Sequence, residues 1–322
     1  VKTITFSALR TLWDCPRRYY WRYVRELVPR REDDAALRFG SLIHGALELH
    51  WKGESDAAVL AWFDAQPVAD PYERARARAM LRAYLARWGA PPAGVVAVER
   101  VIGGRILTPE VRGWRYAGKV DAVQDDAGAL VIHDHKTASQ TDGTTLERLW
   151  TDAQLSSYAL YLSRETGRRV RDVGHDILTK PALKVLRRSD RPRKLKADGT
   201  PAADASWRAE DETPDEHEAR CSEWYEAHPE AFIRERIILS DARVAAVETD
   251  LAAGVATVRH CEARGHWPQH WTACYQWQRR CPYAALCESG DSPIVLDNDY
   301  HHKPAHEELR TAEAAAAQAP LF

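Results

Sequence analysis

The sequence predicts an α/β fold, with a mixed central β-sheet flanked by helices. Three observations carry this reading: a meander of strands over 95–107, 115–123 and 129–136, helical runs on either side of it, and a further strand over 170–179. Elements that alternate in this way pack helices onto the faces of one sheet. At 322 residues the chain can also bury a hydrophobic core without covalent staples.

Near the start, Ser7 is placed to cap a helix over 8–14, its hydroxyl accepting from a free amide of the first turn, and Cys15-Pro16 interrupts that helix. The stretch 17–24 carries arginines among Tyr19, Tyr20, Trp21 and Tyr23. Such a segment packs against a partner or stacks on bases, and packing is the better reading. Gly40 precedes a helix over 41–52 that Gly53 ends; Leu42, Ile43, Ala46 and Leu47 form its apolar stripe, with His44 and Glu48 on its flank. Helices follow over 55–65 and 71–88, and Pro91-Pro92 closes the helical section.

The last two strands of the meander are separated by the turn-forming Asp125-Asp126-Ala127-Gly128. A helix over 145–166 carries Leu149, Ala153, Leu155, Tyr158 and Leu162. From 184 to 220 the chain is polar, first basic and then acidic, and reads as an excursion from the core. A long helix over 241–264 precedes a cysteine cluster, and the tail after Ser289 reads as weakly ordered. The expected organisation is an N-terminal cysteine-bearing part (1–28), a core (29–183), a polar insertion (184–229), a C-terminal helical part of the core (230–264), a cysteine-rich segment (265–290) and a tail (291–322).

Composition is that of a globular protein, with 45% hydrophobic and 29% charged residues. No apolar run approaches membrane-spanning length and the first residues lack the apolar core of a signal peptide, so the default expectation is a cytoplasmic protein with no membrane partner. A net charge of −2 gives no overall attraction to nucleic acid, so any such contact has to be local. Only nine of the 45 basic residues are lysines, which gives weight to a lysine at a chemically telling position.

That position is Lys136. Gly118-Lys119-Val120-Asp121 is followed, thirteen residues after the aspartate, by Asp134-His135-Lys136. Alternate residues of a strand share a face, so Asp134 and Lys136 point the same way. A turn centred between Asp126 and Ala127 would pair Asp121 with Ile132 and make Asp121 a diagonal neighbour of Asp134. Like charges so placed repel, and a divalent metal resolves the conflict. Magnesium or manganese takes oxygen ligands, activates water and neutralises a phosphodiester, while Lys136 orients the attacking water and stabilises charge on the phosphate. Taken singly, each residue has a plainer reading: exposed aspartates near a sheet edge, an ordinary buried or surface histidine at 44, and helix packing for Gln154 and Tyr158.

Taken in order, Gly40 to His44, Gly118 to Asp121, Asp134 to Lys136 and Gln154 to Tyr158 match G-x-x-x-H, G-x-(I/V)-D, (D/E)-x-K and Q-x-x-x-Y. On these residues the chain resembles the RecB-like branch of the PD-(D/E)XK nucleases, a group that includes the nuclease domains of RecB and AddB, CRISPR-associated RecB-like exonucleases and phage relatives. The resemblance implies a restriction-endonuclease-type core with His44, Asp121, Asp134 and the His135 backbone carbonyl as metal ligands, Lys136, Asp121 and Asp134 as catalytic residues, and Gln154 and Tyr158 positioning DNA. It further implies an exonuclease acting on single-stranded DNA or DNA ends in recombination, repair or spacer processing. No phosphate-binding G-x-x-x-x-G-K-(S/T) loop occurs, so the protein would work alone or with a separate helicase, recombination or CRISPR-associated partner. The rival reading is a non-catalytic DNA-binding or assembly subunit with a vestigial site.

Six cysteines in such a chain argue for metal or redox chemistry over disulfides. Cys274, Cys281 and Cys287 crowd together and Cys15 sits alone at the other end, whereas Cys221 and Cys261 read as ordinary thiols. Some RecB-like nucleases hold a 4Fe–4S cluster with one cysteine before the core and three after it, and the resemblance assigns Cys15, Cys274, Cys281 and Cys287 that role, forming an iron–sulfur module from both chain ends. A structural zinc would more often show paired C-x-x-C knuckles, which are absent.

Overall fold

The computed structural model describes residues 1–30, 35–141, 147, 152–190, 196, 200, 207–276, 279–307 and 309. Its elements include β1 (Lys2–Ile4), α1 (Phe6–Asp14), α2 (Pro16–Tyr19), β2 (Leu27–Pro29), α3 (Ala35–Trp51), α4 (Asp56–Asp64), α5 (Pro71–Trp88), β3 (Val95–Arg105), β4 (Trp114–Asp126) and β5 (Ala129–Ala138). After these come α6 (Ala153–Thr166), β6 (Val170–Thr179), α7 (Pro214–Ala227), β7 (Phe232–Ile238) and α8 (Asp241–Arg264). Five short elements complete the set: β8 (Tyr275–Gln276), β9 (Arg279–Arg280), α9 (Ala284–Ser289), α10 (Pro293–Asp299) and β10 (Tyr300–His302). Among the described residues, no helix is long and apolar enough to cross a membrane.

Six strands form one mixed sheet in the order β1-β4-β5-β6-β7, with β3 on the other edge of β4. β1 and β6 run parallel to their neighbours β4 and β5, and the other pairings are antiparallel. One face packs Leu9, Leu12, Leu155, Leu162, Leu251 and Val255 against Val120, Ile132 and Val173. The other packs Ile43, Leu47, Phe63, Met80, Leu81 and Tyr84 against Ala122 and Leu178. The expected α/β architecture is therefore a sheet between two helical layers.

The β4–β5 hairpin sets up the site. Asp126 pairs with Ala129, leaving a two-residue loop of Ala127 and Gly128, both at positive φ (52° and 90°) as a tight primed turn requires. The turn thus centres one residue later than expected, and Val123 rather than Asp121 faces Ile132. Continued one step beyond the last pair, Ala122 with His133, that register sets Asp121 directly across from Asp134. The ladder stops there. On the same edge of β4, β1 covers only Trp114, Arg115 and Tyr116, so the G-K-V-D segment lies where β4 and β5 part, as in a fork.

Several local expectations need correction. Thr5, not Ser7, caps α1, accepting from the Ala8 amide at 3.1 Å. Gly40 lies inside α3, which begins at Ala35, because its surroundings seat the helix against Thr137 of β5. Asp152 has an extended backbone and caps α6, so that helix starts at Ala153 and not at 145; of the preceding stretch, 142–146 and 148–151 lie outside the described residues. The polar stretch contains α7, which opens on a Thr213–Glu216 capping box and buries Cys221 and Tyr225 in the core. Arg187 pairs there with Asp211, whereas Arg191, Arg193 and Lys194 lie outside the described residues. The tail is ordered as far as β10, which pairs antiparallel with β2 and buries Tyr300; 310–322 lie outside the described residues.

The two chain ends meet. Arg17 donates from its backbone to Pro268 (3.0 Å) and from its side chain to the Trp267 carbonyl (2.9 Å), and Tyr19 stacks on Trp267. Trp21, Tyr283, Leu286 and Tyr300 form a small core of their own. The aromatic stretch 17–24 therefore packs, as expected.

Candidate metal centre

Where β4 leaves β5, the Asp121 carboxylate takes over from the ladder: its Oδ2 accepts from the His135 backbone amide at 2.7 Å. His44, reaching over from α3, brings Nδ1 to 3.7 Å from the same oxygen. Gly118 leaves room for the floor of the fork, since a Cβ there would come within 2.5 Å of the Tyr158 ring. Tyr158 is buried, and Gln154 one turn before it donates to its hydroxyl at 2.6 Å. The Q-x-x-x-Y pair thus braces itself beneath the carboxylates.

A third acid, Glu99, completes this group and was not foreseen. The β3–β4 register, Val98 with Ala122 and Arg100 with Val120, sets it opposite Asp121. Ligand atoms of His44, Glu99 and Asp121 lie within 4.8 Å of one another, close enough to share one cation. Glu99 has a backbone φ of 53°, rare for a residue with a side chain, and its carboxylate ion-pairs with Lys119. The G-K-V-D motif marks a strand, but only the strand register shows which residue stands across from its aspartate.

Asp134 is buried on β5 with Oδ1 3.1 Å from Lys136 Nζ. Its Oδ2 has no hydrogen-bond partner and lies 3.5 Å from Nδ1 of fully buried His175, its neighbour on β6. His135 points to the opposite face, against Trp51, with Nδ1 3.5 Å from Asp176 Oδ2. Tyr84 (2.5 Å) and Arg234 (2.9 Å) donate to that same Asp176 oxygen. The back of β5 is thereby locked while its front carries exposed chemistry.

The electrostatics divide along the same line. Burial and the adjacent Asp134 push the Asp121 carboxyl above its usual range, and burial raises Glu99 despite Lys119. Burial works the same way on Asp134, but Lys136 and His175 outweigh it and hold Asp134 well below the usual range. Asp134 in turn raises Lys136, which is therefore an ammonium at neutral pH. Burial, His135 and Lys136 push His44 down to about 4, leaving a neutral imidazole able to ligate. Asp121 and Glu99, two acids with raised pKa values, beside a neutral histidine form a donor set that suits a divalent cation.

The four singled-out cysteines lie where the two chain ends meet. Cys15 terminates α1, with its Sγ 3.4 Å from the His270 amide, and the Cys281 amide donates to the Cys274 carbonyl at 2.8 Å. Cys281 feels Cys15 and Cys274, Cys287 feels Cys281 and Cys15, and burial pushes both thiols up. The buried Trp21 indole N–H lies in the same small core as Cys281 and Cys287 and favours the Cys287 thiolate, against the effect of burial. Cys221 and Cys261 lie elsewhere, in the two large cores.

No curated protein matches the chain. Among solved structures, a crystal structure of a "Putative exonuclease" from Eubacterium rectale is similar at 12% identity, over 97% of this chain and 93% of that one, with a TM-score of 0.45. The family model of the PD-(D/E)XK nuclease superfamily matches residues 3–288, through the fork and all four of these cysteines, and the chain belongs to that superfamily.

Proposed function

We propose that the protein is a divalent-metal-dependent deoxyribonuclease that hydrolyses phosphodiesters at single-stranded DNA ends. The observation that carries this reading is the fork, where Asp121 stands across from Asp134 beside His44, Glu99 and a cationic Lys136. Asp121, Asp134, His44 and the His135 carbonyl would hold magnesium or manganese, with Glu99 as a further donor. A cation bound there supplies Lewis acidity and a water of lowered pKa. Lys136 sets its ammonium where charge develops on the phosphate, Asp121 fixes the His135 peptide, and Gln154 with Tyr158 forms the floor on which the strand lies. A vestigial site would not keep both carboxylates and the lysine.

The cysteines fit an iron–sulfur cluster better than zinc. One cysteine before the core and three after it, with no paired C-x-x-C knuckle, is an arrangement that suits a four-thiolate cluster better than a structural zinc. Cys15, Cys274, Cys281 and Cys287 would hold it, with the Trp21 N–H supporting the Cys287 thiolate, and its contribution is to staple the chain ends. Recombination, repair or spacer processing, in the cytoplasm and beside a separate helicase, is the setting proposed for this nuclease.

The test is end-labelled single-stranded DNA incubated with purified protein and magnesium or manganese. Mononucleotide or short-oligonucleotide release that chelator abolishes is expected. An uncleaved strand under both metals overturns the reading.

A further inference from the structure

β5 and β6 run parallel, and at their carboxyl ends, just past Lys136, lies a cavity of about 290 Å³. In open α/β sheets this is where ligands sit. Its wall carries Gln140, the Thr141 and Thr179 hydroxyls bonded to each other at 2.6 Å, Lys180, Leu183 and Trp224. Trp224 is held in orientation by a tilted contact with His228, with ring centroids 4.5 Å apart and planes at 32°. Glu230, also at the wall, is engaged by His228, whose Nδ1 lies 2.7 Å from its Oε1.

The cavity adjoins the fork. From Lys136 to Ser139, where its lining begins, is three strand residues, about 10 Å. The helix that presents His44 links the two, because Gly40 sits against Thr137 and Lys180 Nζ lies 4.4 Å from the centre of the Phe39 ring. An aromatic face with an apolar wall takes a flat ring, an amide and a hydroxyl pair take its polar edge, and a lysine takes an anion. A nucleotide carries all three features, and the volume is near the lower end for small-molecule sites, about 300 Å³.

We propose that this cavity binds one nucleotide of the substrate strand, adjacent to the cleaved phosphate, with its base against Trp224 and its phosphate toward Lys180. The proposal rests on the nuclease reading of the fork and narrows its substrate to a strand with an unpaired base at that position, since a base in a duplex cannot reach the ring. It makes Trp224 and Lys180 substrate-positioning residues.

The experiment uses the full chain and end-labelled oligothymidylate. Binding is read by anisotropy in chelator, and cleavage is read with magnesium. Trp224→Ala should raise Kd and KM about tenfold, as loss of one base–aromatic stack does, with kcat unchanged, and Trp224→Phe should restore most of the loss. Oligonucleotides with a single abasic residue at successive positions should show one sensitive position in the wild type and none there in Trp224→Ala. Gln140→Ala, where no ring is lost, guards against a folding artefact and should weaken binding less. Unchanged Kd and KM in Trp224→Ala, or the same abasic profile in both proteins, overturns the cavity assignment. Wild-type protein that binds with this profile but does not cleave overturns the nuclease reading and leaves the cavity standing, and protein that does not bind overturns the cavity too.

Discussion

The metal fork and the cysteine junction are built in opposite ways. In the fork, one hairpin brings Asp121 and Asp134 together, Asp134 buried and held by Lys136 and His175, Asp121 partly buried and its carboxyl pushed up by burial and by Asp134. At the junction, residues some 260 positions apart meet through ordinary packing, Tyr19 on Trp267 and Trp21 beside Tyr283 and Tyr300. The fork is therefore a cost to the fold that serves chemistry, and the junction is a support to the fold that serves it indirectly. Substitutions should separate the two: those in the fork should remove activity from a protein that still folds and keeps its iron, and those in the junction should lower stability first, with activity falling as a consequence.

The largest effect is expected at the fork. Asp134→Ala or Lys136→Ala should lower cleavage by about 10²–10³-fold or more, the loss that follows removal of one donor to a developing oxyanion. Thermal melting in chelator should fall somewhat for Asp134→Ala, which takes the carboxylate away from Lys136 and buried His175, but by less than loss of a fully buried pair would cost, because the Lys136 side chain is 45% exposed and reaches water. Wild-type cleavage, or a collapse of the melting transition with intact iron content, would erase the distinction.

Next comes the junction. Cys15→Ser should bleach the brown absorbance and lower the melting temperature together, activity falling only as a consequence. Closing a loop of this length contributes on the order of 5 kcal/mol by analogy with a cross-link, comparable to a domain's whole net stability. Zinc without iron in anaerobically purified protein, or a Cys15→Ser variant that keeps colour and stability, would show that packing alone joins the ends.

The same contrast explains what was legible in the sequence. α8 and β6 occur where expected, since α8 is punctuated at both ends by Ser240 and left-handed Gly265 and β6 is a continuous buried run. The fork was legible because its motifs lie within one hairpin, and an error of one residue in the turn did not change which residues meet. Glu99 was not, because an irregular strand with a residue at positive φ carries no periodic signal. β10 and β2, three residues each, exist only because they pair across the chain, which no local pattern encodes. α7 is different, for the Thr213-Pro-Asp-Glu216 cap stood in the sequence and the surrounding polarity obscured it.

A smaller effect tests the locked back of β5 against its reactive front. Burial works against ionisation of Asp176, but His135 and Arg234 bring it from 3.8 down to about 2. A carboxyl depressed on folding stabilises the fold above its unfolded value and loses that contribution as pH falls through the folded one. Wild-type melting temperature should therefore drop between pH 4 and 2 more steeply than that of Asp176→Asn, although the variant, with Arg234 left unpaired, melts lower throughout. Parallel curves would show that Asp176 is not the anchor of this network.

The smallest effect concerns the two cysteines that the motifs left out. Read from sequence they were ordinary thiols, but each is buried in a different core, Cys221 between α5 and β7 residues and Cys261 on α8. Burial lifts the Cys221 thiol to about 11, as expected of a small apolar filler that never ionises. Serine there buries a hydroxyl with a desolvation cost of about 1–3 kcal/mol, whereas alanine only removes a sulfur and leaves a small void. Cys221→Ser and Cys261→Ser should therefore lower the melting temperature more than the matching alanine variants, with iron content and cleavage unchanged in all four. At Cys15 the two replacements should be equally damaging, because there the thiolate itself is what is lost. A serine penalty confined to Cys221 and Cys261 separates filler from ligand, and an equal serine and alanine loss of iron at either of them would place that cysteine in the junction after all.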